Sequence, residues 1–322
     1  MAKSGGKKVV VAALLGNAAI AITKFVAAAL TGSSAMLSEG VHSLVDTCNQ
    51  LLMLYGMRRA ARPPDASHPF GYGRELYFWA FIVALLVFAL GAGVSFYEGI
   101  SHLRHPRSIE RPLVNYLVLG AALLFEGASW WVALKAFRAG KGDLGWFQAF
   151  RASKDASTFT VLFEDTAALL GLLVALAGVT MAQLLADPRF DGYASLGIGL
   201  VLAIASLLLA RESKGLLLGE AAHPELRDAI LRIAADDSGV RSANGVLTVQ
   251  LGPDTVVAAL SLELEDALST PQIEACVGRI EAAVRRRQPD VAALFVKPQT
   301  AATWRERMFR LRRNGADAGT ER

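Results

Sequence analysis

The chain is 322 residues long, 53% hydrophobic and only 19% charged, with a formal net charge of +4 and a mean hydropathy of +0.37. That balance is too apolar for an ordinary soluble domain and points to a membrane protein. Its basic residues gather at the ends of apolar runs, which argues against a nucleic-acid partner, and Cys48 and Cys276 lie too far apart for a disulfide framework or a CxxC metal site.

About 20 consecutive apolar residues span the hydrocarbon layer as a helix. Six stretches approach that, at 9–30, 34–57, 76–100, 112–137, 158–183 and 191–211. The first is too long for a signal-peptide core and has no small-residue cleavage site, so no cleavable leader is expected. The third and sixth are almost purely apolar, whereas the second, fourth and fifth carry carboxylates in mid-span. With the N-terminus inside, the inner loops collect Lys3, Lys7, Lys8, Arg58, Arg59, Arg62, Arg74, Lys135, Arg138, Lys141, Arg151 and Lys154, and the outer loops only Arg104, Arg107, Arg111 and Arg189. The positive-inside bias therefore predicts both termini in the cytoplasm. His102 and His105, beside the outer arginines, read as interface residues.

From about residue 219 the pattern changes. HPELRDAILRIAADD reads as an amphipathic helix, VLTVQLG and TVVAALSLELE as strands joined at the GPD turn, PQIEACVGRIEAAVRRR as a second helix and ALFVKP as a closing strand. The predicted fold class is an α-helical membrane protein, with six transmembrane helices in 1–218 and a small cytoplasmic αββαβ domain in 219–300. Residues 301–322 are basic, then polar, and read as a disordered tail. Within the αββαβ domain, Glu263, Glu265 and Asp266 offer a weak acidic site, with a solvated strand face the plainer reading.

The second span breaks the apolar rule most openly. In SEGVHSLVDTCNQ the spacings of Glu39, His42, Ser43, Asp46, Asn49 and Gln50 place them within a sector of about 120° on a helix, and Cys48 on the far side. Each charge within a bilayer costs at least about 2.5–3.5 kcal/mol. Either Asp46 is neutralised by Lys24 of the first span, or His42 and Asp46, at i and i+4, face a buried cation. The fifth span supplies Glu164 and Asp165, about 100° apart, so that only one points squarely at a given spot. Glu126 of the fourth span is a further intramembrane carboxylate, and His68 in the loop segment HPFGYGR is either a metal-collecting ligand or part of a turn.

Together, Asn17, Lys24, TGSSAMLSEGVHSLVD, HPFGYGR, VLFEDTAALLG and the αββαβ tail resemble the cation diffusion facilitator family, over nearly the whole chain. SEGVHSLVDTCNQ, DASHPFGYGR and VLFEDTAALLG look closest to the branch containing a mitochondrial zinc transporter of animals. The Ala-rich composition and the lack of a transit peptide suggest instead a bacterial inner-membrane member. The resemblance implies a homodimer that exports divalent metal, with no enzymatic activity and no cofactor. It also implies two ligands from the second span and two from the fifth. His42 and Asp46 match the first pair and Asp165 the last ligand, whereas Val161 stands in the remaining position and cannot coordinate. Glu164 is the first candidate for the fourth ligand, with a water or Glu126 next; Glu39 and His68 complete the metal candidates.

One imidazole with two or three carboxylates suits Zn²⁺, while Co²⁺, Fe²⁺ and Mn²⁺ remain admissible. When the ion leaves, the clustered carboxylates repel one another, so metal and proton compete for the same atoms and exchange is expected. A non-transporting metal sensor or scaffold of the same fold is the alternative, kept open by Val161. A membrane enzyme would need a phosphate-cradling loop that the sequence lacks.

Overall fold

The structure, a computed structural model, describes residues 3–109, 111–140 and 156–320. Lys141, Arg151 and Lys154 of the charge comparison lie outside the described residues. The chain divides into two compact units, one of residues 1–62 and 74–215, the other of residues 63–73 and 216–322.

The first unit is helical: α1 (Lys3–Thr31), α2 (Ser34–Ala60), α3 (Glu75–Arg104), α4 (Pro112–Gly140), α5 (Ala156–Leu184) and α6 (Arg189–Leu218). Gly32, at φ +68, ends α1 in the left-handed conformation, and the Ser33 side chain then accepts the Met36 N–H at 3.1 Å to start α2. Among the described residues four helices are long and apolar enough to cross a membrane, namely Glu75–Arg104, Pro112–Lys135, Thr160–Leu184 and Arg189–Leu218. The sequence predicts six. In α1 the described apolar segment is the short Asn17–Thr31, and in α2 the polar face lowers the hydropathy.

This unit turns the usual surface inside out. Leu124 is 80% exposed and Leu184 74%, while Lys24, Glu39, His42 and Asp191 are buried. Apolar side chains outward and charges inward is the pattern a lipid surround selects. Its core is built largely of small residues with a few larger ones, such as Met36, Leu172 and Ile198, set between them.

The second unit contains α7 (Pro224–Ala235), β1 (Val240–Gly252), β2 (Thr255–Leu264), α8 (Thr270–Arg287), β3 (Val291–Pro298) and α9 (Ala301–Thr320). β1 and β2 form an antiparallel hairpin in the register Val246↔Leu260, and β3 lies parallel to the other edge of β2, giving the order β1-β2-β3. Alternate residues of β2, Val256, Ala258, Leu260 and Leu262, are buried, with Ala258, Leu260 and Leu262 clustering with Ile230 of α7 and Ile280 of α8. Ser269 and Gln272 close a capping box that starts α8.

Where composition predicts a disordered tail, the structure has a helix. Residues 301–320 form α9, and Trp304 in its first turn lies against β1 at Gly245. A large aromatic on a glycine gap supplies an anchor that a count of charged and polar residues does not register.

Candidate metal centre

The helical register of α2 puts Glu39, His42, Asp46 and Asn49 on one buried face, and Cys48 is exposed on the other. His42 Nδ1 stands 3.5 Å from Asp46 Oδ1, with the two side chains 1% and 13% exposed. Among the described residues, neither imidazole nitrogen nor Asp46 Oδ1 has a hydrogen-bond partner. A buried histidine and aspartate with open lone pairs are unusual, because burial of an unpaired polar atom is costly.

Lys24 does not neutralise Asp46. Its Nζ lies 3.0 Å from Glu39 Oε2 and 2.8 Å from Ser43 Oγ, and both Lys24 and Glu39 are fully buried. The short turn between α1 and α2 makes the two helices antiparallel, which brings Lys24 level with the middle of the Glu39–Ser43 turn. Asp46 is then about 7 Å further along the axis, at 1.5 Å per residue. Glu39 therefore belongs to an ion pair, with its Oε1 left over. Gly171 of α5 makes room for that oxygen, since a Cβ there would stand 2.5 Å from it.

The two adjacent acids of α5 turn opposite ways. Glu164 Oε1 accepts from Asn49 Nδ2 of α2 at 2.8 Å, whereas Asp165 Oδ2 accepts from Ser129 Oγ of α4 at 2.9 Å. Trp130 Nε1 donates to Thr166 Oγ1 at 3.0 Å, fixing α4 against the next residue of α5. The sequence reading takes Asp165 as the matched ligand and Glu164 as the first candidate for the fourth; of the two, Glu164 is the one bonded to α2 and Asp165 the one bonded to α4. Val161, one turn before Asp165, is 39% exposed. Glu126 is buried on α4, one turn before Trp130.

The acidic and imidazole groups thus stand apart, Glu164 bonded to Asn49 and Asp165 to Ser129, with His42 and Asp46 adjacent at 3.5 Å but not hydrogen-bonded to each other. Among the described residues no group of three or more His, Cys, Asp or Glu is gathered closely enough to enclose a metal ion.

Sequence reasoning missed a polar cluster at the Ser33 end of α2. Asp191, fully buried in the first turn of α6, accepts from Ser33 Oγ at 2.6 Å, Ser34 N at 2.5 Å, Ser34 Oγ at 2.9 Å and Ala35 N at 3.3 Å. His102 Nδ1 stands 3.7 Å away, and His102 is buried, not an interface residue. An acid in a first turn ordinarily serves its own helix, and nothing local reveals that this one caps another.

The remaining candidates fall in the second unit. Asp65 accepts from the His68 N–H at 2.8 Å, the Ser67 hydroxyl at 2.7 Å and the Tyr72 hydroxyl at 2.6 Å, and the His68 ring stacks on Tyr72 with centroids 4.1 Å apart. The Tyr72 hydroxyl above all, with Ser67, holds the Asp65 carboxyl well below the usual aspartate range. His68 thus sits within a hydrogen-bonded turn. Arg241 lies 3.0 Å from Glu265, 2.8 Å from Asp266 and 4.0 Å from Glu263, which occupies the weak acidic site with a cation of the chain's own.

Against known proteins, the cation efflux transmembrane domain matches residues 10–218. The chain is 36% identical over 250 residues to the proton-coupled zinc antiporter SLC30A9, mitochondrial, of Homo sapiens, covering 77% of this chain and 44% of that protein. It is 30% identical over 225 residues to metal tolerance protein C4 of Arabidopsis thaliana, covering 69% and 49%. With the cation-efflux pump FieF of Cronobacter sakazakii it shares 31% identity over 284 residues, covering 86% and 87%. The chain thus spans less than half the length of the animal and plant relatives it matches.

Proposed function

The chain belongs to the cation efflux family, and on that premise we propose that it carries a divalent metal ion, zinc foremost, out across a membrane in exchange for protons. The observation that carries this reading is the buried His42–Asp46 pair, whose nitrogens and Oδ1 have no hydrogen-bond partner among the described residues. Lone pairs of that kind are what a dehydrated borderline cation takes up. Glu164, one hydrogen bond away from α2 through Asn49, is the third ligand in this reading, and Asp165 or Glu126 completes the set when α4 and α5 shift together. The names of the human and bacterial relatives support metal and proton as the exchanged ions. Cobalt, iron and manganese are the other cargo that this donor set accepts.

In this reading six helices span the bilayer, both termini are cytoplasmic, and the protein works as a homodimer in a bacterial inner membrane. Metal binding displaces protons from the same carboxylates and imidazole, so each half of the exchange vacates the site for the other.

Reconstituted vesicles loaded with a zinc dye and a pH dye test the proposal. Wild type should move zinc and protons in opposite directions, and His42→Ala or Asp46→Ala should lower zinc flux at least about tenfold, the effect of losing one strong ligand. Undiminished flux in both variants would sink it. The second reading, a metal sensor or scaffold that does not transport, is favoured by the separate fastening of Glu164 and Asp165. It predicts zinc binding with no flux in the wild type.

A further inference from the structure

Helix α9 takes no part in the proposed exchange, yet it is firmly rooted. Asn244 Nδ2 donates to the Gln299 carbonyl at 2.8 Å, Glu263 accepts the Ala301 N–H at 2.8 Å, and Trp304 lies so close that a Cβ on Gly245 would fall 2.5 Å from its indole. Beyond that first turn, residues 301–313 carry five arginines, Arg305, Arg307, Arg310, Arg312 and Arg313, against the single acid Glu306. Glu306 is paired with Arg310.

At 100° per residue, Arg305, Phe309 and Arg313 rise in successive turns on one face, turned away from Trp304. Arg305 and Arg313 are exposed and Phe309 is 65% exposed. An aromatic ring left in water between guanidinium groups suits a surface that is anionic outside and apolar just beneath. Such a surface buries the ring at the acyl boundary and meets the arginines with phosphate oxygens.

We propose that α9 lies on the anionic headgroup surface of a phospholipid bilayer, with Phe309 inserted and Arg305 and Arg313 bonded to lipid phosphates. Three alternatives fit less well. A second copy of α9 would bring like charges together, inorganic phosphate would satisfy the arginines and leave Phe309 in water, and a soluble acidic partner lacks the tether. The apolar helices of the same chain hold a bilayer at high effective concentration. The side of a membrane protein that gathers basic residues is also the side whose leaflet carries anionic lipid. The proposal rests on the membrane reading alone, so its failure would leave metal exchange untouched.

The test is amide exchange across residues 305–313 of the full chain in nanodiscs of phosphatidylcholine alone and of phosphatidylcholine with a third phosphatidylglycerol. Exchange should slow about tenfold or more in the anionic discs, and high salt should reverse most of that. Removing charge in Arg305→Gln/Arg313→Gln should weaken the protection about fivefold per arginine, with exchange in β1 to β3 unchanged as the control for folding. Equal exchange in both discs would overturn the proposal. So would equal protection in neutral discs by inorganic phosphate or polyglutamate, which would make the occupant a free anion or an acidic protein. Phe309→Ser behaving as wild type would likewise refute insertion of the ring.

Discussion

Lys24 and Glu39 are opposite charges with no exposure at all, 3.0 Å apart among small apolar residues. Removing one partner from such a pair leaves a buried charge uncompensated, at about 3–5 kcal/mol, while removing both costs far less. Lys24→Met should therefore lower the thermal midpoint of the full chain in detergent sharply, and Lys24→Met/Glu39→Gln should recover most of the loss. A double variant as unstable as the single one would show that the value of the pair lies in packing, not in charge. Val161 stands at the position where the family pattern has a ligand. A ligand placed at the fourth position should tighten zinc if that position faces the ion, but Val161 is 39% exposed, so Val161→His should leave zinc affinity within about threefold of wild type, less than 1 kcal/mol. Calorimetry on the purified protein decides it, and a clear tightening would mean that α5 turns during metal binding. The His42–Asp46 pair was legible in the sequence because i and i+4 positions meet on any helix. The partners of Lys24 and Asp165 were not, because they depend on how far each helix is rotated toward its neighbours, which no local pattern records.

Among elements, the small sheet domain at the C-terminus was readable from alternation and turn residues, since the two-residue period of a strand sets the one and glycine and proline mark the other. The helical tail was not, because its anchor is a long-range contact between Trp304 and Gly245. Two loop and cap carboxylates lend this unit a pH dependence with a definite sign. Asp65 is held below its ordinary 3.8 by Tyr72 and Ser67, and Asp237 by Arg279, whose guanidinium donates two hydrogen bonds of 2.8 Å to it. Both bind protons less readily folded than unfolded, so their stabilisation is complete above about pH 5 and drains away as pH falls below the ordinary aspartate value. Hydrogen exchange of the full chain should show the 63–73 turn and the α7–β1 junction loosening together on acidification through pH 4 to 3. A turn equally protected throughout that range would refute the assignment. Next to Asp237, burial and the carboxylate push the Cys276 thiol up to about 11. The residue is therefore an inert packing group at neutral pH and not a redox handle.

Across the whole molecule, the segment between α2 and α3 belongs with the C-terminal unit, although a single break near residue 218 was the natural reading of the sequence. Phe70 stacks edge-on against Phe295 of β3 with ring centroids 6.3 Å apart, and a Cβ on Gly73 would stand 2.5 Å from the Leu251 carbonyl. Overpacking at such a backbone contact costs about 1–3 kcal/mol, so Gly73→Val should speed exchange across residues 63–73 about tenfold or more while the amides of α5 keep their rates. Unchanged exchange in the turn would mean that the contact is soft. Hydropathy cannot foresee this arrangement, because an eleven-residue polar loop looks the same whether it is free or docked. Its corollary is mechanical. The polypeptide passes between the two units three times, and two of those strands continue directly into α2 and α3, which Arg59 and Glu75 pin together at 2.8 Å. The covalent path from the C-terminal unit to the helix that bears His42 and Asp46 is therefore short, since the docked turn begins three residues after α2 ends.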